Sequence, residues 1–260
     1  MTEFGLPLLL VAIVYAVMLV LNERMNLFGD RFSSRLVKVL AYLWLGLFLG
    51  VITFFIVSSS LVQPTLKQLS AMPFYSLFAL HAILIIFLVG WWLLTGRPPV
   101  SRFLNLRFDG NSLLTGLAVG VGGWLFTIAL ALAIALVLQA TGIIPKDVQP
   151  PAMIGWIATL PIWKKCVLVL SAMTVEEAFF RGWLQKRIGL IASTVLFALA
   201  HAGYGQPFLL IGVALISLVI GFTFYRTKNL IPGVIAHGVF DAVQLFVIIP
   251  IAFKATGIGG

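Results

Sequence analysis

Six polar side chains near the C-terminus lie in stretches that otherwise read as membrane-spanning: Glu176, Glu177, Arg181, His201, His237 and Asp241. A charged residue inside a bilayer is costly, so each is a functional candidate by default. The chain has 3 histidines and 8 acidic residues. Two of those histidines and three of those acids fall in this group, while the apolar stretches before it carry almost none. Glu177 and Arg181 stand at i and i+4 with the acid first, the favourable order for a helical ion pair. His237 and Asp241 are also i and i+4 and share a helix face. Glu176 is rotated by about 100° from Glu177 and has no built-in partner. A carboxylate and a histidine around buried water can activate that water, the carboxylate serving as general base. A second histidine with a carboxylic acid beside it can stabilise a developing oxyanion. Hydrolysis of an amide within the membrane fits these residue types. The same four groups, Glu176, His201, His237 and Asp241, could instead hold Zn²⁺, which takes imidazole nitrogens and carboxylate oxygens and acidifies its water.

The elements that must position these groups are apolar helices. Of the 260 residues, 61% are apolar and 10% charged, against about half and a quarter in a soluble domain. A crossing needs about 20 mainly apolar residues. Phe4–Leu21, Val39–Val62, Pro73–Thr95 and Leu113–Ala140 qualify, followed by Val167–Arg187, a short Ile188–Ala202, Phe208–Tyr225 and Leu230–Phe253. The expectation is an all-α polytopic bundle of about eight helices. Residues 1–150 form a four-helix region without a recognised motif, and residues 151–255 form the core that carries the polar site. Ala152–Leu160 is too short to cross, and with Trp156, Trp163, Lys164 and Lys165 it suits the membrane interface. Met1-Thr2-Glu3 lacks the basic start of a cleavable signal peptide.

Counting along the helices puts Glu176, His201 and Asp241 roughly 16–20 Å from one surface and His237 roughly 10 Å from it. Gly203-Tyr204-Gly205-Gln206-Pro207 would then turn at membrane depth, where irregular backbone must be buried in protein or line a watery cavity. Gly116, Gly120 and Gly123 share one side of the fourth helix, at a spacing that admits close approach of a neighbour. They read as packing rather than a nucleotide loop.

The net charge is +9, from 17 Lys and Arg against 8 Asp and Glu. In so apolar a chain this reads as loop charge facing an anionic leaflet rather than as a nucleic-acid surface. Arg24, Arg31, Arg35 and Lys38, then Arg97, Arg102 and Arg107, then Lys186 and Arg187, then Arg226 and Lys228 fall in alternate loops. They predict those loops in the cytoplasm and both termini outside. On the other side stand Lys67, Lys146, Lys164, Lys165 and Lys254.

Three motifs carry a resemblance. Glu176-Glu177-Ala178-Phe179-Phe180-Arg181 reads as EExxxR, Phe197-Ala198-Leu199-Ala200-His201 as FxxxH, and His237-Gly238-Val239-Phe240-Asp241 as HxxxD. In this order, each in an apolar helix, they resemble the CAAX protease and bacteriocin-processing (CPBP) family of intramembrane endopeptidases, which includes type II CAAX prenyl endopeptidase-like and lysostaphin resistance protein A-like members. The resemblance covers about Trp163–Pro250. It implies an all-helical core with the site below the membrane surface. It assigns water activation to Glu176 and His201, the oxyanion side to His237 and Asp241, and support to Glu177 and Arg181. Phe197 reads as packing that positions His201. Many eukaryotic prenyl-protein proteases carry Asn where this chain has Asp241. An ionised Asp cannot donate, so an oxyanion role requires it protonated. The family has been described both as metal-dependent and as metal-independent glutamate proteases. No resident cofactor follows from the sequence, and zinc is the alternative. The resemblance implies a membrane peptide or lipidated protein as substrate, prenylated or bacteriocin-like, within a prokaryotic inner or plasma membrane.

Plainer readings stand beside these. Glu177–Arg181 reads first as a structural ion pair. His81, with no acid near it in sequence, reads as a hydrogen bond to a neighbouring helix. Cys166, the only cysteine, reads as inert core. Ser171 lies near Glu176 but lacks a nucleophile-elbow context, and no HExxH, GxGD or GxSG occurs. A catalytically idle relative that binds membrane peptides is the second functional class. A proton-coupled transporter is the third, although it calls for polar groups in both halves.

Overall fold

The computed structural model describes residues 5–25, 32–61, 64–143, 151–204 and 207–256. Among them there is no strand. Seven apolar stretches among the described residues are long enough to cross a membrane, and the chain is an all-α integral membrane bundle. α1 (Gly5–Met25) and α2 (Arg35–Leu61) run antiparallel. After α3 (Leu66–Ala71), a 3₁₀ turn at Phe74–Phe78 leads into α4 (Ala79–Leu94). The short α5 (Val100–Leu104) precedes α6 (Gly110–Ala140). α7 (Ala152–Thr159) is the brief segment foreseen at the interface, stopped before Pro161. α8 (Ile162–Ser171) passes into π-helical backbone at Ala172–Glu176 and Ala178–Gln185. α9 (Lys186–Ala200), α10 (Pro207–Thr227) and α11 (Leu230–Val243) follow, and a π-helical turn at Gln244–Ile248 leads to α12 (Ile249–Thr256).

The sequence suggests eight crossings where seven apolar stretches occur, and Gly189 explains the difference. Ile162–Ala200 is a single apolar run of 39 residues, but Gly189 adopts φ 81, ψ 175 within it. The Phe180 and Phe197 rings lie 4.8 Å apart. In a straight helix 17 residues would separate them by roughly 25 Å. The run is therefore a helical hairpin, folded back close to the Arg187/Ile188 boundary read from the sequence. Gly189 supplies a left-handed φ that other residues adopt only with strain.

Large apolar side chains point outward along most helices, for example Leu43, Leu47 and Phe54 on α2 and Leu114, Phe126 and Leu136 on α6. Water would not tolerate such a surface, whereas lipid does. The interior is an aromatic wall shared by both ends of the chain. Phe48 stacks on Phe87 at 4.0 Å, and Phe87 meets Trp183 edge-on at 4.7 Å. Trp91 meets Trp183 at 5.2 Å, and Phe179 stacks on Trp183 at 5.6 Å. These contacts hold α2 and α4 against the π-helical stretch that carries the acids. Offset and edge-on pairs of this kind add about 0.5–1.5 kcal/mol each beyond their buried area.

The glycine side of α6 does what its spacing foretells. A Cβ on Gly116 would stand 2.6 Å from Ile235 Cβ, and one on Gly120 2.7 Å from Val239 Cβ. One on Gly123 would come within 2.9 Å of Val219 Cγ1. α6 thus lies backbone-close to α11 and α10, and fixes the helix bearing His237 and Asp241. Asn229 fastens the start of α11. Its Oδ1 accepts from the Arg107 and Ile231 amides, and its Nδ2 donates to the Arg107 carbonyl and to Ser112 Oγ.

Three basic loops meet at that end of the bundle. Arg107 Nη2 donates to the Thr227 carbonyl at 2.7 Å, and Lys186 Nζ donates to the Phe103 carbonyl at 2.5 Å. At the opposite end α3 packs on α7 through Leu69, Trp156 and Leu160. Arg31, Lys146, Met1-Thr2-Glu3, Gly205 and Gln206 lie outside the described residues, and so does the middle of the turn expected at membrane depth. Gly203 at its edge packs on Ser59 of α2, where a Cβ would sit 3.4 Å from the hydroxyl. Cys166 corrects its expectation. It is exposed on the outer face of α8, while its neighbour Lys165 turns inward and donates to the Ala158 carbonyl at 2.8 Å.

Candidate active site

The two adjacent acids leave one helix towards different neighbours and seed two polar chains. In π-helical backbone each hydrogen bond skips one residue more than in an α-helix, so successive side chains turn by less than 100°. Such segments often mark functional sites. Glu176 faces α4 and α9, and Glu177 faces α10 and α11.

The first chain runs Ser171–His81–Glu176, then to His201. His81 Nε2 lies 3.1 Å from Glu176 Oε1, and Ser171 Oγ lies 2.7 Å from His81 Nδ1. A carboxylate only accepts, so His81 donates from Nε2. Nδ1 of the neutral ring is then the acceptor, and the Ser171 hydroxyl donates to it. The other carboxylate oxygen, Glu176 Oε2, is buried without a hydrogen bond among the described residues. It lies 3.9 Å from His201 Nε2. His201 Nδ1 is 2.8 Å from the Phe197 carbonyl, which can only accept, so that nitrogen carries the proton. In the neutral ring Nε2 presents its lone pair towards Glu176.

The second chain runs Ser217–Arg181–Glu177–His237–Asp241. Arg181 Nη1 donates to Glu177 Oε1 at 2.7 Å, while Nη2 donates to the Ser217 carbonyl and hydroxyl at 3.1 and 3.0 Å. Glu177 is 0% exposed and Arg181 1%. His237 Nδ1 donates to the same Oε1 at 2.9 Å. Its Nε2 is 3.4 Å from Asp241 Oδ2. Both His237 nitrogens are thus engaged, and the contact with Asp241 needs one proton, carried by Nε2 or by the carboxyl.

Phe197 sits between the chains. Its ring is 4.7 Å from the His201 ring, 6.0 Å from His237 and 4.6 Å beneath the Arg181 guanidinium. A buried cation over an aromatic face is worth about 2 kcal/mol when desolvated. The phenyl ring therefore separates two polar systems and positions a member of each.

All the residues marked by the three motifs come together here. Sequence reasoning missed three partners, Ser171, Ser217 and above all His81. His81 does bond to a neighbouring helix, as read, but its partner is Glu176 itself. The signal was present: a histidine buried alone in an apolar helix must find a partner on another one. For zinc, the fit is poor. Among the described residues no three His, Cys, Asp or Glu side chains converge as metal ligands do. Glu176 Oε2 and His201 Nε2 supply two donors, and both nitrogens of His237 are already bonded.

Residues 158–243 match the family model of the type II CAAX prenyl endopeptidase Rce1-like proteins. The uncharacterized protein YpbD of Bacillus subtilis (strain 168) is 40% identical over 77 residues, which is 29% of this chain and 41% of that protein. The chain thus matches about two-fifths of that relative's length. The UPF0177 protein YxdF of Lactococcus lactis subsp. lactis (strain IL1403) is 28% identical over 127 residues, 46% of this chain and 69% of that protein. No solved structure matches. The matched stretch contains all three motifs and both polar chains apart from His81, and over residues 158–243 the chain resembles the Rce1-like proteins.

Proposed function

We propose that the chain is an intramembrane endopeptidase that hydrolyses a peptide bond of a membrane-associated substrate with water activated by Glu176 and His201. The observation that carries this reading is the 3.9 Å between Glu176 Oε2 and His201 Nε2. That is too long for a direct hydrogen bond. It suits a water that donates to both acceptors through two bonds of ~2.8 Å meeting at roughly a right angle. With both protons held, the oxygen lone pair points away towards the substrate. As that oxygen attacks the carbonyl carbon, Glu176 takes one water proton. It returns that proton to the departing amine when the C–N bond breaks. A positioned general base contributes typically 10²–10⁴-fold.

His237 and Asp241 take the oxyanion side. Asp241 is the less buried partner, with 24% of its side chain exposed. Rotating it away frees a donor, Nε2–H or the carboxyl O–H, for the substrate oxygen. Glu177 and Arg181 hold His237 in register. No step is routed through a metal, because two donors do not make a site. The end bearing the basic loops is assigned to the cytoplasm, a reading supported by the excess of Lys and Arg in its short loops. The substrate is a membrane peptide or a lipidated protein tail.

The test is cleavage, in lipid nanodiscs, of a farnesylated peptide with a C-terminal CAAX sequence and of unmodified membrane peptides. Wild type is compared with His201→Ala, with and without a strong chelator. The reading expects cleavage of at least one peptide, a loss of 10²-fold or more in His201→Ala, and no effect of chelation. Unchanged turnover in His201→Ala would sink it, and loss on chelation restored by zinc would replace its metal-free step.

A further inference from the structure

Of the polar groups around Glu176, one comes from outside the stretch that carries the motifs. His81 stands near the start of α4, buried, with Phe78 at 6.0 Å beside its ring. Its two nitrogens are used on opposite sides, one by Ser171 and one by Glu176. Ser171 and Glu176 belong to the same continuous helical stretch, so that stretch grips the ring at two points.

We infer that His81, oriented by Ser171, is the positioning residue for Glu176. It holds Oε1 so that Oε2 is presented to His201. The inference rests on the proposed hydrolytic role of Glu176 but makes a separate claim. Two geometric facts support it. A buried Glu has several rotamers, and within the described residues His81 is the one hydrogen-bond donor to its carboxylate. The ring is itself held, because with the hydrogen on Nε2 facing the carboxylate, Nδ1 accepts from the Ser171 hydroxyl. That tautomer is the one a carboxylate needs. This is the logic by which a hydrogen bond on one ring nitrogen sets what the other does. His81 does not touch the reacting water and acts only through Glu176.

Two consequences distinguish positioning from simple packing. First, a side chain that offers an amide N–H at the same place should substitute for His81, whereas an isosteric apolar one should not. Second, Ser171 should matter only while residue 81 is a histidine, since its hydroxyl acts by holding the ring at Nδ1. Residue 171 is therefore silent in the presence of glutamine at 81.

The experiment has two arms. In the first, ¹⁵N NMR of histidine-labelled protein in nanodiscs reads the three rings, assigned by replacing each with Gln in turn. The expected result is His81 protonated on Nε2 and His201 on Nδ1. Ser171→Ala should shift or broaden the His81 signals, and His81→Leu should shift the His201 Nε2 signal as Glu176→Gln does. His81 protonated on Nδ1, or a His201 signal unchanged in His81→Leu, would overturn the inference. This arm needs no turnover. In the second arm, cleavage of the peptides named above should fall 10- to 100-fold in kcat for His81→Leu, with KM within about 2-fold. His81→Gln should recover at least 10-fold of that loss. Ser171→Ala should cost 3- to 10-fold alone and nothing further in the His81→Gln background. Wild-type kcat in His81→Leu, with Glu176→Gln inactive, would defeat the positioning role alone. Activity surviving in Glu176→Gln would defeat the parent reading, while the NMR result would still stand or fall by itself.

Discussion

Arg181→Met should be among the most destabilising single substitutions in the chain. The change keeps most of the aliphatic bulk but removes the guanidinium from between Glu177, Ser217 and the Phe197 ring. Glu177, fully buried, would then keep its charge against a single remaining donor, His237 Nδ1. Removing one partner of a buried pair costs about 3–5 kcal/mol, because the other charge is left behind. At 1.4 kcal/mol per decade that is roughly 10²- to 10³·⁵-fold in the folded ratio. Glu177→Gln in the same chain removes the stranded charge, so the double variant should recover about 2–3 kcal/mol of the sum of the single losses. Lys38–Glu23 is the control. It is as short, at 2.6 Å, but its side chains are 35% and 56% exposed. Lys38→Met should cost no more than about 1 kcal/mol, as exposed pairs do. Reversible unfolding in bicelles, followed by circular dichroism, reads all of these. An Arg181→Met protein within about 1 kcal/mol of wild type, or coupling to Glu177 below about 0.5 kcal/mol, would refute the reasoning.

Three further outcomes are expected. Gly120→Ala forces a Cβ against branched Val239. It should cost about 1–3 kcal/mol in the same unfolding assay and lower kcat by displacing α11, whereas Gly122→Ala, with open space around it, should do neither. Asn229→Ala strands the Arg107 groups and the cap of α11, and should cost about 2–3 kcal/mol. Asp109 caps α6 through the Ser112 amide at 2.7 Å, and its hydrogen bonds to Ser112 hold its carboxyl below the usual range. Its contribution is therefore present above the unfolded carboxyl value of about 3.9 and fades as pH falls through the lower folded value. The difference in thermal midpoint between wild type and Asp109→Ala should shrink at acid pH, and it would refute the cap if it stayed constant.

What could be read in the sequence was what one helix decides by itself. Apolar length gave the crossings to within a few residues, and i, i+4 spacing gave the Glu177–Arg181 and His237–Asp241 contacts. The three-glycine spacing gave the close face of α6. What escaped was decided between helices. His81 finds its acid 95 positions away, and no periodicity within α4 reports it. Glu177 carries two partners, one local and one on α11. The π-helical backbone that carries the two acids leaves no mark in a pattern read at 100° per residue. Cys166 was misplaced because an apolar residue in a membrane helix is as content facing lipid as facing the core.

The central claim is that Glu176 activates water while Glu177, its neighbour, holds structure. Cleavage of the same peptide in nanodiscs by Glu176→Gln and Glu177→Gln, each corrected for its folded fraction, tests it most directly. The account predicts that Glu176→Gln folds as wild type and loses 10²- to 10⁴-fold in kcat, while Glu177→Gln loses chiefly stability. Equal turnover by Glu176→Gln and wild type would contradict it.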